Sequence, residues 1–150
     1  GFIASVVHYS DIWDIGFHTI LFALTMNIIN LLDLRPGRAI KGFLITVTLI
    51  MIFTGLNELW LLLPVITAMI IYIPGEMKEK YMMGDTGSNL LGGILGLYVI
   101  RISQINVKLI VFFALVLLHV FGEFYSISKI IDAIPILRSI DDIGRIKKER

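Results

Sequence analysis

Apolar residues form long runs along this chain, and short polar segments separate the runs. A transmembrane helix needs about 20 mostly apolar residues, with a range of roughly 17–25. Most runs approach this length, so the pattern predicts an all-α fold: a polytopic transmembrane helical bundle with about five spans. The predicted spans lie near residues 16–33, 42–56, 59–73, 87–101 and 108–127.

The segment after the last predicted span has a different pattern. Isoleucine and leucine recur at roughly helical spacing between charged residues, and Pro135 interrupts the stripe. This pattern is typical of an amphipathic segment in the membrane interface. We therefore expect residues 1–127 to form the transmembrane domain and residues 128–150 an amphipathic, basic tail. The adjacent acids Asp141 and Asp142 are expected to be solvated there, which argues against a metal site.

Composition supports a membrane protein and excludes several other classes. Hydrophobic residues make up 57% of the chain, whereas soluble domains have about 45–50% apolar residues. A net charge of +1 gives no indication of nucleic-acid binding. Cysteine is absent, which excludes disulfides and thiol catalysis within this chain. Because the chain begins at Gly1 without a basic leader, we expect it to be part of a longer protein.

The distribution of lysine and arginine predicts an orientation. Eleven of the thirteen cations fall in residues 35–41, residues 78–88 and the C-terminal tail, and the other two are Arg101 and Lys108. Cytoplasmic segments of membrane proteins carry the excess of these residues. We therefore expect a multi-pass protein of the cell membrane whose polar motif segments and C-terminus are cytoplasmic.

Two polar clusters fall on this predicted cytoplasmic side. The first consists of Asn27, Asn30 and Asp33, whose spacing of three places them along one helix face. Two amides and a carboxylate are suited to binding a metal, a ribose or a phosphate-bearing head group. A polar stripe that bonds neighbouring helices fits the same spacing equally well.

The second cluster is Gly84-Asp85-Thr86-Gly87-Ser88, at the start of a predicted helix. Free backbone N–H groups at a helix start favour a phosphate, and Asp85 offers a carboxylate oxygen for Mg²⁺. The simpler interpretation is an ordinary N-cap, in which a side chain of Asp85, Thr86 or Ser88 accepts backbone hydrogen bonds.

Two further pairs of residues have structural interpretations. Gly92 and Gly96 are one helical turn apart in an apolar segment, which favours close packing of two helices. His119 and Glu123 are also one turn apart, and a buried hydrogen-bonded pair is favoured over a proton-transfer pair.

Taken together, the two clusters resemble the polyprenyl-phosphate N-acetylhexosamine-1-phosphate transferases, a family that includes phospho-N-acetylmuramoyl-pentapeptide transferase. The family pattern pairs Asn-x-x-Asn-Leu-x-Asp with a later Met-Gly-Asp-x-Gly-Ser. The matching residues are Asn27, Asn30, Leu31 and Asp33, then Met83 to Ser88, followed by Leu91 and Gly92. The resemblance covers nearly all of this chain and about the C-terminal half of a family member.

The resemblance implies transfer of a phosphosugar from a UDP-sugar to undecaprenyl phosphate, with Mg²⁺ required and UMP released. By resemblance, Asp85 is a magnesium ligand, and Asp33 and Asp85 are the catalytic residues. Met82 stands where the family often has an aromatic near the uracil. The residues that the resemblance implies for substrate binding are Asn27, Asn30, Met82, Gly84, Thr86, Gly87 and Ser88.

Departures from the family pattern leave alternatives open. Pro36 stands where the family has a second Asp, Gly75 stands where it has an Asn, and a His-rich loop has no counterpart. The first alternative is a non-catalytic homologue with a role in regulation or assembly, and the second is a small transport or assembly subunit. If the chain is part of an enzyme, upstream residues, a homodimer partner or a complementing membrane subunit would supply the remaining catalytic aspartates.

Overall fold

The computed structural model describes residues 12–55 and 58–143, and every regular element within these ranges is helical. This confirms the predicted all-α fold class. A single 3₁₀ turn at Leu59–Leu61 precedes the third α-helix. The α-helices are α1 (Ile12–Leu32), α2 (Arg38–Thr54), α3 (Leu63–Met77), α4 (Gly84–Ile102), α5 (Ile105–Phe124), α6 (Ile127–Ala133) and α7 (Pro135–Asp142).

Several predicted helix ends differ from the observed ones. The sequence predicts that the third helix stops before Pro74, but α3 continues for nearly one more turn to Met77. Proline removes one backbone hydrogen bond and does not prevent the next turn from forming. The expected polar loop at residues 101–108 is also shorter, because only Ser103 and Gln104 lie between α4 and α5.

The centre of the bundle is formed by α1 packed along α4. Gly92 and Gly96 of α4 face α1, and a Cβ at Gly92 would lie 2.5 Å from Met26 Cα and 2.6 Å from the Thr25 carbonyl oxygen. Since both are backbone atoms, only glycine permits this approach. The predicted role of the two glycines in close helix packing is therefore confirmed.

The polar contacts of the bundle gather at two opposite ends. At one end, His18 Nε2 lies 3.1 Å from Lys108 Nζ, and Arg101 pairs with Glu58 near the start of α3. At the other end, the α1–α2 turn meets the end of α3, the start of α4 and helices α6 and α7. The second end contains both polar clusters of the sequence.

Two helices of the described part of the chain, α1 and α5, are long and apolar enough to cross a membrane. Only 11% of the most apolar window of α5 is buried inside the protein. Its outward face carries Phe113, Leu117 and Phe121, each more than half exposed. The helices α2 and α3, with 17 and 15 residues, are shorter.

The described part of the C-terminal segment contains the short helices α6 and α7, with Pro135 at the break between them as predicted. Residues 144–150 of the predicted basic tail lie outside the described residues. The expectation that both tail acids are solvated is wrong for Asp141, which is only 4% exposed. Arg38 binds both oxygens of the Asp141 carboxylate, so the side chain is buried with its charge offset. Asp142, the next residue, is exposed.

Candidate functional site

A hydrogen bond between Asn30 and Ser88 joins the two polar clusters that the sequence keeps 58 residues apart. The Ser88 hydroxyl is fully buried and donates to Asn30 Oδ1 at 2.8 Å, and it also lies 3.0 Å from the Gly84 carbonyl oxygen. Asn30 is in the last turn of α1 and Ser88 is in the second turn of α4. The two motif segments are therefore adjacent in space.

The start of α4 has an unusual backbone. Gly84, its first residue, has φ +67°, a left-handed conformation that glycine adopts without strain. Met83 occupies the N-cap position, and its side chain makes no capping hydrogen bond. The alternative interpretation of this cluster as an ordinary N-cap formed by Asp85, Thr86 or Ser88 is therefore wrong, and Ser88 bonds across to α1 instead.

Asp33 lies just after α1 and faces the start of α4. Burial raises the pKa of its carboxyl group, and so does the nearby charge of Asp85, whereas the backbone N–H of Gly84 acts in the opposite direction. One carboxylate oxygen, Oδ1, is buried and has no hydrogen-bond partner in the part of the chain that the structure describes. A carboxylate in this state favours a proton or a cation.

Glu76, a residue that the sequence reasoning did not include in the site, lies directly beside it. Its side chain is fully buried, and Oε1 accepts a hydrogen bond of 2.9 Å from the backbone N–H of Gly37. The carboxylate of Glu76 also lies close enough to Asp33 for the two charges to repel each other. A signal was available, since Glu76 is the first acid after the Pro74-Gly75 pair at the end of an apolar run.

The turn that receives Glu76 also depends on glycine. Gly37 has φ +75° and precedes the first residue of α2. A Cβ at this position would overlap the Met77 side chain of α3. Glycine is thus required twice at position 37, for its conformation and for the close approach of α3.

The loop between α3 and α4 folds back along α3. The Tyr81 hydroxyl donates to the Tyr72 carbonyl at 3.1 Å, and the two rings pack with centroids 4.7 Å apart. The Tyr81 side chain also covers Gly75. These contacts set the path of residues 78–83 and hence the position of Gly84.

The remaining predicted site residues lie on the open side of the site. Asp85, Thr86 and Met82 are exposed, and Gly87 is half-buried against the Met83 side chain. Asn27 is exposed on α1 and is not part of the Asn30–Ser88 contact. The structure thus brings Asn30, Asp33 and the start of α4 together and leaves Asn27 one turn away.

An ion-pair cluster, comprising Arg35, Arg38, Asp132 and Asp141, lies at the same end of the bundle. Arg35 contacts both oxygens of Asp132 at 2.9 Å, and Arg38 contacts both oxygens of Asp141 at 2.8 Å. The hydrogen bond from Arg35 lowers the pKa of Asp132. Sequence reasoning assigned these cations only to a cytoplasmic surface, because their partners are about 100 residues away.

An apolar cavity of about 470 Å³ lies between α1, α2, α4 and α5, and it is closed at one side by α6 and α7. Leu49, Phe53, Leu118 and Phe121 are among the side chains in its wall. Ile131 of α6 also contributes, one residue before Asp132 of the ion-pair cluster. Such a cavity is suited to hydrocarbon and not to a polar ligand.

The expected pair of His119 and Glu123 in α5 is not formed. His119 Nδ1 donates to the Leu115 carbonyl at 2.7 Å, and Glu123 is exposed. The other ring nitrogen, Nε2, is buried and has no hydrogen-bond partner among the described residues, so the pair interpretation is wrong.

Residues 12–55 and 58–143 contain no cluster of three or more His, Asp or Glu side chains able to enclose a metal ion. Mg²⁺, however, is usually bound by one or two carboxylates together with water and substrate phosphates. Asp85, exposed beside the Gly84 turn, and Asp33, with an unpartnered oxygen, are suitable donors for such a site.

Comparison with known proteins adds no relative. The sequence matches no family model, and neither curated proteins nor solved structures give a match. The functional interpretation therefore depends on the residues and their geometry.

Proposed function

We propose that this chain is the C-terminal part of a membrane phosphoglycosyltransferase of cell-envelope polysaccharide synthesis. The reaction is transfer of a phospho-N-acetylhexosamine from a UDP-sugar to undecaprenyl phosphate. A lipid phosphate oxygen forms a bond to the β-phosphorus of the UDP-sugar, and the bond from that phosphorus to the bridging oxygen breaks. UMP leaves with the bridging oxygen and its electron pair.

One observation carries the proposal, namely the 2.8 Å hydrogen bond between Ser88 and Asn30. Two motifs that resemble a single transferase active site need to be adjacent in space if they act together. The adjacency of Asp33 and Gly84 supports the same conclusion.

Specific roles follow from the exposure of each residue. Asp85 is the proposed magnesium ligand, because its carboxylate is open to a substrate diphosphate. Mg²⁺ bound there would neutralise the diphosphate and stabilise the departing UMP. Asp33 and Asn30 form the polar wall, and a substrate phosphate would lie at the N-terminal end of α4, because a helix N-terminus favours an anion. Met82, Thr86 and Gly87 line the open side, where the nucleotide would lie.

The proposed setting is the cell membrane, crossed by α1 to α5 as five spans. The apolar outward face of α5 and the length of α1 support this arrangement. The excess of lysine and arginine supports a cytoplasmic position for the site and for α6 and α7. The acceptor lipid would then reach the site from within the bilayer, and the apolar cavity is suited to its hydrocarbon chain.

A second candidate function is a non-catalytic homologue that regulates or assembles an envelope enzyme. Pro36 favours it, because the carboxylate that the family carries at that position is absent. Two ion pairs near the site also favour the non-catalytic homologue, namely Arg35 with Asp132 and Arg38 with Asp141. Because both arginines bind carboxylates of the protein itself, they are not available to bind a substrate phosphate.

The test is Mg²⁺-dependent release of UMP by the full-length protein. UDP-GlcNAc or UDP-MurNAc-pentapeptide serves as donor and undecaprenyl phosphate as acceptor. We expect Asp85→Asn to reduce the rate at least about a hundredfold, because a metal ligand contributes several kcal/mol to transition-state stabilisation.

The matched control is Asp142→Asn, which removes an exposed carboxylate from the same end of the protein. Its rate should equal that of the wild type. Equal rates for Asp85→Asn and wild type would exclude the assigned role of Asp85. Absence of UMP release from every form would favour the non-catalytic homologue.

A further inference from the structure

Glu76 is a buried acid that forms no ion pair with a basic side chain of the described residues. Its side chain is 0% exposed, and Oε2 has no hydrogen-bond partner within residues 12–55 and 58–143. The other oxygen, Oε1, accepts the hydrogen bond from the backbone N–H of Gly37. A buried charged oxygen without a partner is unfavourable by several kcal/mol unless a proton or a cation accompanies it.

Asp33 carries a second oxygen of the same kind. Its Oδ1 is buried and also lacks a partner. The carboxylate of Asp33 faces the backbone N–H of Gly84, and that of Glu76 faces the N–H of Met83, the preceding residue. Both acids therefore lie next to the start of α4, and each has one buried oxygen without a donor among the described residues.

The two arginines at this end of the bundle form ion pairs with other acids. Arg35 and Arg38 are paired with Asp132 and Asp141. Within residues 12–55 and 58–143, none of the ion pairs includes Asp33 or Glu76. The protein thus places basic groups close by but leaves these two carboxylates without a counter-charge of their own.

The charges and the oxygen atoms of these two carboxylates indicate which kind of ligand they would bind. A proton shared between the two carboxyl groups would offset only one negative charge. A divalent cation would offset both charges and would be coordinated by the unpartnered oxygen of each carboxylate. Hard divalent ions such as Mg²⁺ and Mn²⁺ prefer carboxylate oxygen ligands.

We propose that Asp33 and Glu76 hold a divalent metal ion between the α1–α2 turn and the end of α3. This site lies deeper than Asp85, which is exposed. The metal site rests on the proposed function, because a Mg²⁺-dependent transfer would take place next to it. Metal binding can nevertheless be measured without any transferase reaction. Glu76 accepts a hydrogen bond from Gly37, the residue after Pro36. It therefore brings a carboxylate close to the position at which the family pattern has an Asp and this chain has Pro36.

The test measures Mn²⁺ binding to the full-length protein in detergent, without nucleotide. Binding is detected as a loss of the electron paramagnetic resonance signal of free Mn²⁺. We expect Glu76→Gln and Asp33→Asn each to weaken Mn²⁺ binding at least about tenfold, because changes even around metal ligands have effects of this size. Asp142→Asn, with its exposed carboxylate, should bind Mn²⁺ like the wild type.

Thermal unfolding provides a second measurement for each variant. A ligand that binds only the folded state raises Tm, so Mn²⁺ should raise the Tm of the wild type and not that of Glu76→Gln. If Glu76→Gln fails to fold, Asp33→Asn decides the result, since Asp33 is only partly buried.

The outcomes separate this site from the transferase proposal. Unchanged Mn²⁺ affinity in Glu76→Gln, or no Mn²⁺ binding by the wild type, would overturn the metal site and indicate a shared proton. Mn²⁺ binding that depends on Glu76, without any UMP release, would leave the metal site standing and reject the transferase.

Discussion

At the residue scale, Arg38 and Asp141 form a buried ion pair with two hydrogen bonds. Both side chains are 4% exposed, and two hydrogen bonds of 2.8 Å join them. Arg38 also donates to the Ser128 hydroxyl of α6, at 2.9 Å. One side chain at the start of α2 therefore holds both C-terminal helices.

Replacing Arg38 by methionine should destabilise the protein by about 3–5 kcal/mol, because Asp141 would remain buried without its main partner. Thermal unfolding in detergent measures the change. Arg138→Met is the control, since Arg138 is an exposed cation on α7, and it should shift stability by no more than about 0.5 kcal/mol. Equal stabilities for the two variants would contradict the structural role of the pair.

At the element scale, the contact of α1 with α4 determines how the two polar clusters meet. Gly92 and Gly96 allow the backbones to approach, and Asn30 and Ser88 join one end of the same helix pair. Any separation of the two helices would also separate the residues of the candidate site. Packing and site geometry are therefore coupled.

Gly92→Ala should lower the free energy of unfolding by about 1–3 kcal/mol, because the new methyl group would overlap the backbone of Met26. Gly16→Ala is the matched control in α1, where nothing lies within 4 Å of the added Cβ. Alanine has the higher helix propensity, so the control should be neutral or slightly stabilising. Circular dichroism during heating in detergent distinguishes these outcomes, and a Gly92→Ala variant as stable as the control would disprove the close approach.

At the scale of the whole molecule, the two ends of the helical bundle carry different sets of polar contacts. One end holds the candidate site, the ion-pair cluster and helices α6 and α7. The opposite end holds the contacts of His18 with Lys108 and of Arg101 with Glu58. The proposed orientation in a membrane rests on the excess of lysine and arginine in the segments at the first of these ends.

The orientation predicts which introduced cysteines are accessible in intact cells. The chain contains no cysteine of its own, so Lys78→Cys and Gln104→Cys each provide a single reactive group. A membrane-impermeant maleimide should label Gln104→Cys in intact cells and Lys78→Cys only after lysis. Labelling of Lys78→Cys from outside would reverse the orientation and with it the cytoplasmic site.

The lengths and apolar patterns of the helices were predictable from the sequence, because hydrophobic runs are a local property. The break at Pro135 and the packing glycines of α4 were predictable for the same reason. The continuation of α3 past Pro74 was not, because tertiary contacts such as Glu76 with Gly37 stabilise its last turn.

The sequence by itself determined that this protein is helical and apolar and that it carries two polar motifs. Only the tertiary structure decided that Asn30 bonds Ser88, that Asp141 is buried by Arg38, and that Glu76 lies beside Asp33. The physical reason is distance along the chain. Helix formation depends on residues three or four apart, whereas these contacts join segments 40 to 100 residues apart, and their partners are selected by how the helices pack.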